Sequence, residues 1–151
     1  MRTLLLFLFL FGISCAGQKG LPEDNAKDSH QEVQMLEHLL CESHSGVEQE
    51  AFMVVRDPKA LKKFFLQINK TRKPGLSVPA VDFTKEIVVI YCGGIRTGYS
   101  SLKMELLKES QDTITLRLKE GTPSQEEGIL ETTPFCVYKL AYTQKEILLV
   151  Q

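Results

Sequence analysis

Apolar positions recur at helical spacing in the first half of this chain and alternate in the second half. Val33, Leu36, Leu39 and Leu40 follow Ser29-His30-Gln31-Glu32, which has the form of a capping box. A helix is therefore expected to start at Ser29 and run through Leu40, with Ser43 to Gly46 ending it. Ala51 to Val55 (AFMVV) is a short strand candidate that stops at Asp57-Pro58. That pair starts a second helix, with Asp57 as cap and Pro58 at the first helical position, where the missing N–H costs nothing. Leu61, Phe64, Phe65 and Ile68 then fall at i, i+3, i+4 and i+7, one apolar stripe facing a core.

Beyond Gly75 the period changes. Ile87-Val88-Val89-Ile90-Tyr91 is a continuous, mostly β-branched run, the pattern of a strand covered on both faces. Leu102, Met104 and Leu106 alternate with polar residues, as do Ile114, Leu116 and Leu118, which predicts two half-buried antiparallel strands. Phe135 to Tyr142 and Glu146 to Val150, separated by Thr143-Gln144-Lys145, read as a closing hairpin. The expected fold is α+β: one domain over 29–151, with two N-terminal helices packed on an antiparallel sheet of about five strands.

Residues 1–16 are better explained as an address than as fold. Arg2 precedes an apolar run, Leu4 to Phe11, and small residues follow at Gly12, Ser14, Cys15 and Ala16, as in a secretory signal. The run is too short to span a bilayer as a helix, which takes about 20 apolar residues. Cleavage after Ala16 would release a soluble protein. Alternatively Ser14-Cys15-Ala16 resembles a lipobox, with Cys15 as the lipidated N-terminus and Gly12 standing where Leu is usual. The polar stretch 17–28 (GQKGLPEDNAKD) suits a tether between membrane and domain and favours the lipoprotein reading.

Composition excludes more than it assigns. In 151 residues, 18 Lys and Arg stand against 19 Asp and Glu, so no basic excess exists to neutralise phosphates, and no nucleic-acid partner is expected. An exported chain processed at Cys15 keeps three further cysteines, Cys41, Cys92 and Cys136, which allows one bridge or three buried thiols. Cys92 and Cys136 both lie in apolar runs, so burial and a bridge between them both remain open.

Catalytic constellations are weak. His38, Cys41 and His44 stand at i, i+3 and i+6, a spacing that can offer soft ligands to zinc, yet an amphipathic helix with solvated histidines explains them more simply. Cys92 precedes Gly93-Gly94 at a strand end, where a nucleophile could be exposed, but no histidine follows residue 44 to activate it. Ser100 and Ser101 lack a nucleophile-elbow motif, and Glu126-Glu127 beside Gly128 read as a solvated turn. No Walker loop or dinucleotide fingerprint occurs, so no metal or cofactor is expected and the chain reads as non-enzymatic. The sequon Asn69-Lys70-Thr71 matters only in a glycosylating host. The remaining candidate is the turn from Gly93 to Ser100, where Gly94, Arg96, Thr97, Gly98 and Tyr99 form either a partner-contacting loop or a hairpin whose Tyr packs on the sheet.

The run Val81-Asp82-Phe83-Thr84-Lys85-Glu86-Ile87-Val88-Val89-Ile90, then Gly94, Thr97-Gly98-Tyr99 and Thr133-Pro134-Phe135, resembles the PrcB C-terminal domain family over about residues 50–150. One glycine, Gly98, stands where the family tends to have two before the Tyr. The resemblance implies a single-domain bacterial lipoprotein, similar to the accessory lipoprotein of a surface protease complex. On it, the chain would be a non-catalytic envelope module, lipid-anchored at Cys15, most simply in the outer membrane. It would bind or stabilise a protein partner, a protease being the partner implied. Gly94, Thr97, Gly98 and Tyr99 are the family positions carried over. A protease inhibitor or small-ligand binder using the Gly93 to Ser100 loop is the competing reading, and fold alone does not separate them.

Overall fold

Ile87-Val88-Val89-Ile90-Tyr91 forms the middle of the molecule, and all five side chains are fully buried. The computed structural model describes residues 35–97, 101–121 and 131–151, which belong to one compact unit, Glu32–Gln151. Nine strands are described: β1 (Glu37–Glu42), β2 (Glu50–Val55), β3 (Glu86–Gly93), β4 (Arg96–Thr97), β5 (Leu102–Glu109), β6 (Thr113–Glu120), β7 (Glu131–Thr132), β8 (Phe135–Ala141) and β9 (Glu146–Val150). One α-helix, α1 (Pro58–Ile68), continues into a 3-10 turn over Asn69–Thr71.

The strands form a four-stranded antiparallel sheet in the order β1-β8-β3-β2, a three-stranded sheet β5-β6-β9, and a small pair β4-β7. Alternation along β3 and β8 divides their side chains between two cores. Val88, Ile90, Cys92, Phe135 and Val137 pack with Leu61, Phe64, Phe65 and Ile68 of α1. Ile87, Val89, Tyr91, Cys136, Tyr138 and Leu140 pack with Leu102, Met104, Ile114, Leu116, Leu118 and Ile147 of the three-stranded sheet. The four-stranded sheet is thus the middle of three layers, with α1 on one face and the second sheet on the other. Asp57 caps α1 as its sequence suggests, with Oδ1 accepting from the N–H groups of Lys59 and Ala60 at 2.9 Å each.

This architecture corrects the expected one of two helices on a sheet of about five strands. The described residues are mostly β, and α1 is the one α-helix among them. The capping box at 29–32 and Val33 lie outside the described residues, but Glu37–Glu42 is a strand. Its apparent helical spacing comes from a register irregularity in the pairing of β1 with β8, between His38 and Leu40. Leu36 and Cys41 pack into the core between the sheets, while Leu39 and Leu40 pack on the helix side. One extra residue in an alternating strand turns a period of two into an i, i+3, i+4 pattern.

The closing hairpin is also corrected. β8 already has β1 and β3 on its two sides, so it has no free edge for β9. Instead β9 crosses to the second sheet and pairs parallel with β6, Ile114 opposite Ile147 and Leu116 opposite Leu149. β5 and β6 pair antiparallel as the alternation predicts, Met104 opposite Leu118 and Leu106 opposite Leu116.

Candidate functional site

The start of the glycine-rich turn after β3, Gly93 to Arg96, helps hold the fold together. Gly94 has φ of 69°, and a Cβ there would lie 2.9 Å from the Glu50 N and 3.0 Å from the Glu48 carbonyl oxygen. Only glycine allows the turn to lie this close to the backbone entering β2. Arg96 folds back on the same turn. Its Nε donates to the Gly93 carbonyl at 2.7 Å, Nη2 lies 3.2 Å from the Tyr91 hydroxyl, and Nη2 meets the Glu120 carboxylate at 3.1 Å. Glu50 stands 3.9 Å from the same guanidinium, so one cation ties the end of the four-stranded sheet to β6. Burial, and then the Glu50 carboxylate that accepts its hydrogen bond, push the Tyr91 phenol up to about 12.

Thr97 pairs with Glu131 in the short β4-β7 ladder. Among the proposed contact residues, then, Gly94 and Arg96 serve internal structure, Thr97 is exposed on its short strand, and Gly98 and Tyr99 lie outside the described residues, as do Cys15 and Glu126-Glu127-Gly128. The other motif stretches are structural too. Asp82 accepts from the Thr84 N–H at 3.1 Å and from its hydroxyl at 2.5 Å, bonds that hold its carboxyl below the usual range, and Phe83 packs toward α1. Thr133 Oγ1 accepts from the N–H groups of Ser45 and Gly46 at 3.0 and 2.9 Å, and the Pro134 carbonyl accepts from Gly93 N–H at 2.7 Å.

Cys92 is not poised as a nucleophile. It is fully buried on the α1 side of β3, and burial pushes its thiol up to about 11, an effect the Ser45 side chain partly offsets. Nor does Cys92 bridge to Cys136, because Tyr91 and Cys136 share one face of the sheet while Cys92 and Phe135 share the other. The disulfide instead joins Cys41 and Cys136, directly opposite each other on β1 and β8 with Cα atoms 4.1 Å apart. The histidine and cysteine trio does not converge on a metal: the Cys41 sulfur is bonded to Cys136, and His44 Nδ1 lies 2.7 Å from the Ser43 hydroxyl. Among the described residues no group of three or more such side chains is placed to hold an ion. The Asn69 amide is also engaged, donating to the Leu76 carbonyl and accepting from its N–H at 2.8 Å each.

Sequence reasoning missed a groove of about 470 Å³ between the edge strands β1 and β5. Leu36, His38, Cys41, Leu102, Met104 and Tyr138 line it, with exposed Ser101 and Lys103. His38 stacks edge-on against Tyr138 with centroids 5.1 Å apart, and its Nε2 lies 3.3 Å from the Cys41 sulfur. The Tyr138 hydroxyl accepts from the Met104 N–H at 3.1 Å, which fixes β5 over β8 beside the groove. The signal for this site was Leu36 and His38 two apart, visible only if the segment is taken as a strand.

No family model, curated protein or solved structure matches this chain. The likeness to the PrcB C-terminal domain family therefore rests on the quoted motif residues alone.

Proposed function

We propose that this protein is an exported, envelope-anchored, non-catalytic module that binds a partner protein. The observation carrying this reading is the bridge between Cys41 and Cys136, since cross-strand disulfides form and persist in oxidising compartments outside the cytosol. The apolar leader ending at Cys15 supplies the export route, and acylation of Cys15 supplies the anchor. The buried, weakly acidic thiol of Cys92 supports a non-catalytic role.

Partner contact falls on the groove between β1 and β5 rather than on Arg96, because the Arg96 guanidinium is spent on Gly93, Tyr91 and Glu120. The groove combines apolar walls with two edge strands, β5 having its Met104 N–H taken by the Tyr138 hydroxyl, features that suit an extended segment of another protein. A protease complex is the partner class that the family resemblance suggests. A small-ligand reading has one observation in its favour, that the groove volume lies within the usual range of ligand sites.

The test is crosslinked capture from native envelopes with wild type and with Leu36→Glu plus Lys103→Glu. Leu36 is only partly buried against the core and Lys103 is exposed beside Glu105, so the variant is expected to melt lower yet stay folded while losing the captured protein. Equal recovery by a folded variant would remove the groove from the function, and an unacylated N-terminus in the mass spectrum would remove the anchor.

A further inference from the structure

The outer face of α1 carries charge that the fold does not use. Lys59, Lys62, Lys63, Leu66 and Lys70 stand at i, i+3, i+4, i+7 and i+11, one stripe opposite buried Leu61, Phe64, Phe65 and Ile68. All four lysines are exposed, and Leu66 in their midst is 62% exposed. Six basic residues lie between 58 and 73, and no Asp or Glu occurs between 58 and 81. The remaining 12 basic against 19 acidic residues leave the rest of the chain at -7.

Among the described residues most cations elsewhere are paired, Arg56, Lys108 and Arg117 being the exceptions. Arg96 meets Glu50 and Glu120, Lys119 meets Glu105, Lys139 meets Glu37 and Glu86, and Lys145 meets Glu109. Arg72, just past the helix, is held by Glu42. Among the described residues, Lys59, Lys62, Lys63, Lys70 and Lys73 enter no ion pair. Nor does the stripe stabilise its own helix. Like charges three and four residues apart repel, and a lysine in the first turn opposes the helix dipole. A feature that weakens the helix while leaving its charges unpaired has its use outside the fold.

We propose that this face docks the protein on an anionic lipid membrane, the lysines reaching headgroup phosphates and Leu66 entering the interface between them. The choice of occupant rests on the envelope-anchored reading, which places the domain beside a bilayer. The stripe itself also favours lipid. Its apolar member lies at the centre, and it lacks arginine, the side chain suited to bidentate recognition of phosphate or carboxylate on a folded partner.

The test uses the mature chain carrying Cys15→Ser, so that no acyl group contributes, sedimented with vesicles of phosphatidylcholine alone or mixed equally with phosphatidylglycerol. Binding is expected only to the anionic vesicles and is expected to weaken as salt rises. Each of Lys59→Gln, Lys62→Gln, Lys63→Gln and Lys70→Gln is expected to weaken it about fivefold. Leu66→Ser is expected to weaken it at every salt concentration, and all five variants are expected to melt with wild type because the positions are exposed. Absence of binding to anionic vesicles at low salt would overturn the proposal, as would binding unchanged in the fourfold lysine variant. Binding unaffected by Leu66→Ser and matched by a soluble polyanion would overturn the assignment to lipid. Acylation is read separately from the mass of the envelope-isolated protein, so the anchor and the stripe can each fail alone.

Discussion

Reducing the bridge between Cys41 and Cys136 is expected to remove a large part of the stability of this domain. The two cysteines are 95 residues apart in sequence, so the cross-link spans most of the described chain. Closing a loop of that length removes about 15 cal/mol/K of unfolded-chain entropy, or roughly 4 to 5 kcal/mol at room temperature. Domains of this size have total stabilities of about 5 to 15 kcal/mol. The fold should therefore survive reduction with a much lower unfolding midpoint, or fail to survive it at physiological temperature. With a urea slope of about 1 to 3 kcal/mol/M, the midpoint should fall by about 1.3 to 5 M. The chain has no tryptophan, so far-UV circular dichroism is the suitable probe. The double variant Cys41→Ala, Cys136→Ala should match the reduced wild type and be indifferent to reductant. Two results would refute the reasoning. One is equal midpoints with and without reductant; the other is three alkylatable thiols, instead of Cys92 alone, in the unreduced, denatured Cys15→Ser chain.

Gly94→Ala is expected to destabilise by about 1 to 3 kcal/mol, because it sets a non-glycine residue at positive φ against the backbone of Glu48 and Glu50; thermal melting checks it, and an unchanged melting temperature would show that the turn has room. Phe65→Ala empties a fully buried site on α1 and is expected to cost about 3 to 5 kcal/mol in denaturant unfolding. Alkaline pH should destabilise the fold. Tyr91 and Cys92 have folded values raised to about 12 and about 11 from 10.0 and 9.0, so the stability they contribute is complete below pH 9 and is lost as pH rises through the folded values. Tyr91→Phe and Cys92→Ala should each flatten the fall in melting temperature between pH 9 and 12, and a fall unchanged in both would assign it to other groups.

Local signals were legible wherever one element met one environment. Asp57-Pro58 and the stripe from Leu61 to Ile68 gave the helix, and the unbroken run at 87–91 gave a strand covered on both faces. The alternations around Met104 and Leu116 likewise gave an antiparallel pair. Failures came where partners distant in sequence decide the outcome. Leu36, Leu39 and Leu40 imitate a helix because one irregular step in β1 redistributes them between two cores, and the cause of that step is pairing with β8, about a hundred residues away. Glu146–Val150 reads equally well beside β8 or β6; occupancy of both β8 edges decides it, and that occupancy is invisible locally. The disulfide was obscured for the same reason, since Cys41 read as a helical residue has no partner strand.

The same separation governs the candidate site. A central sheet covered on both faces buries its informative side chains, so the motif residues around Asp82, Gly94 and Thr133 turn out to hold corners and clasps. Among the described residues two surfaces at the margins of the layers are open to another molecule: the groove between the edge strands β1 and β5, and the lysine face that α1 turns away from the core. These surfaces make separable demands. The groove lies on the second-sheet side of the central sheet and depends on the disulfide, because Cys41 holds β1 to β8 beneath it. The α1 face lies on the other side, where β1 contributes only the partly buried Leu39 and Leu40 and the pair of Glu42 with Arg72. Reduction should therefore weaken partner capture through the groove under conditions where α1 remains folded and vesicle binding persists. Equal loss of both on titrating reductant, with helical signal retained, would show that the two surfaces act as one.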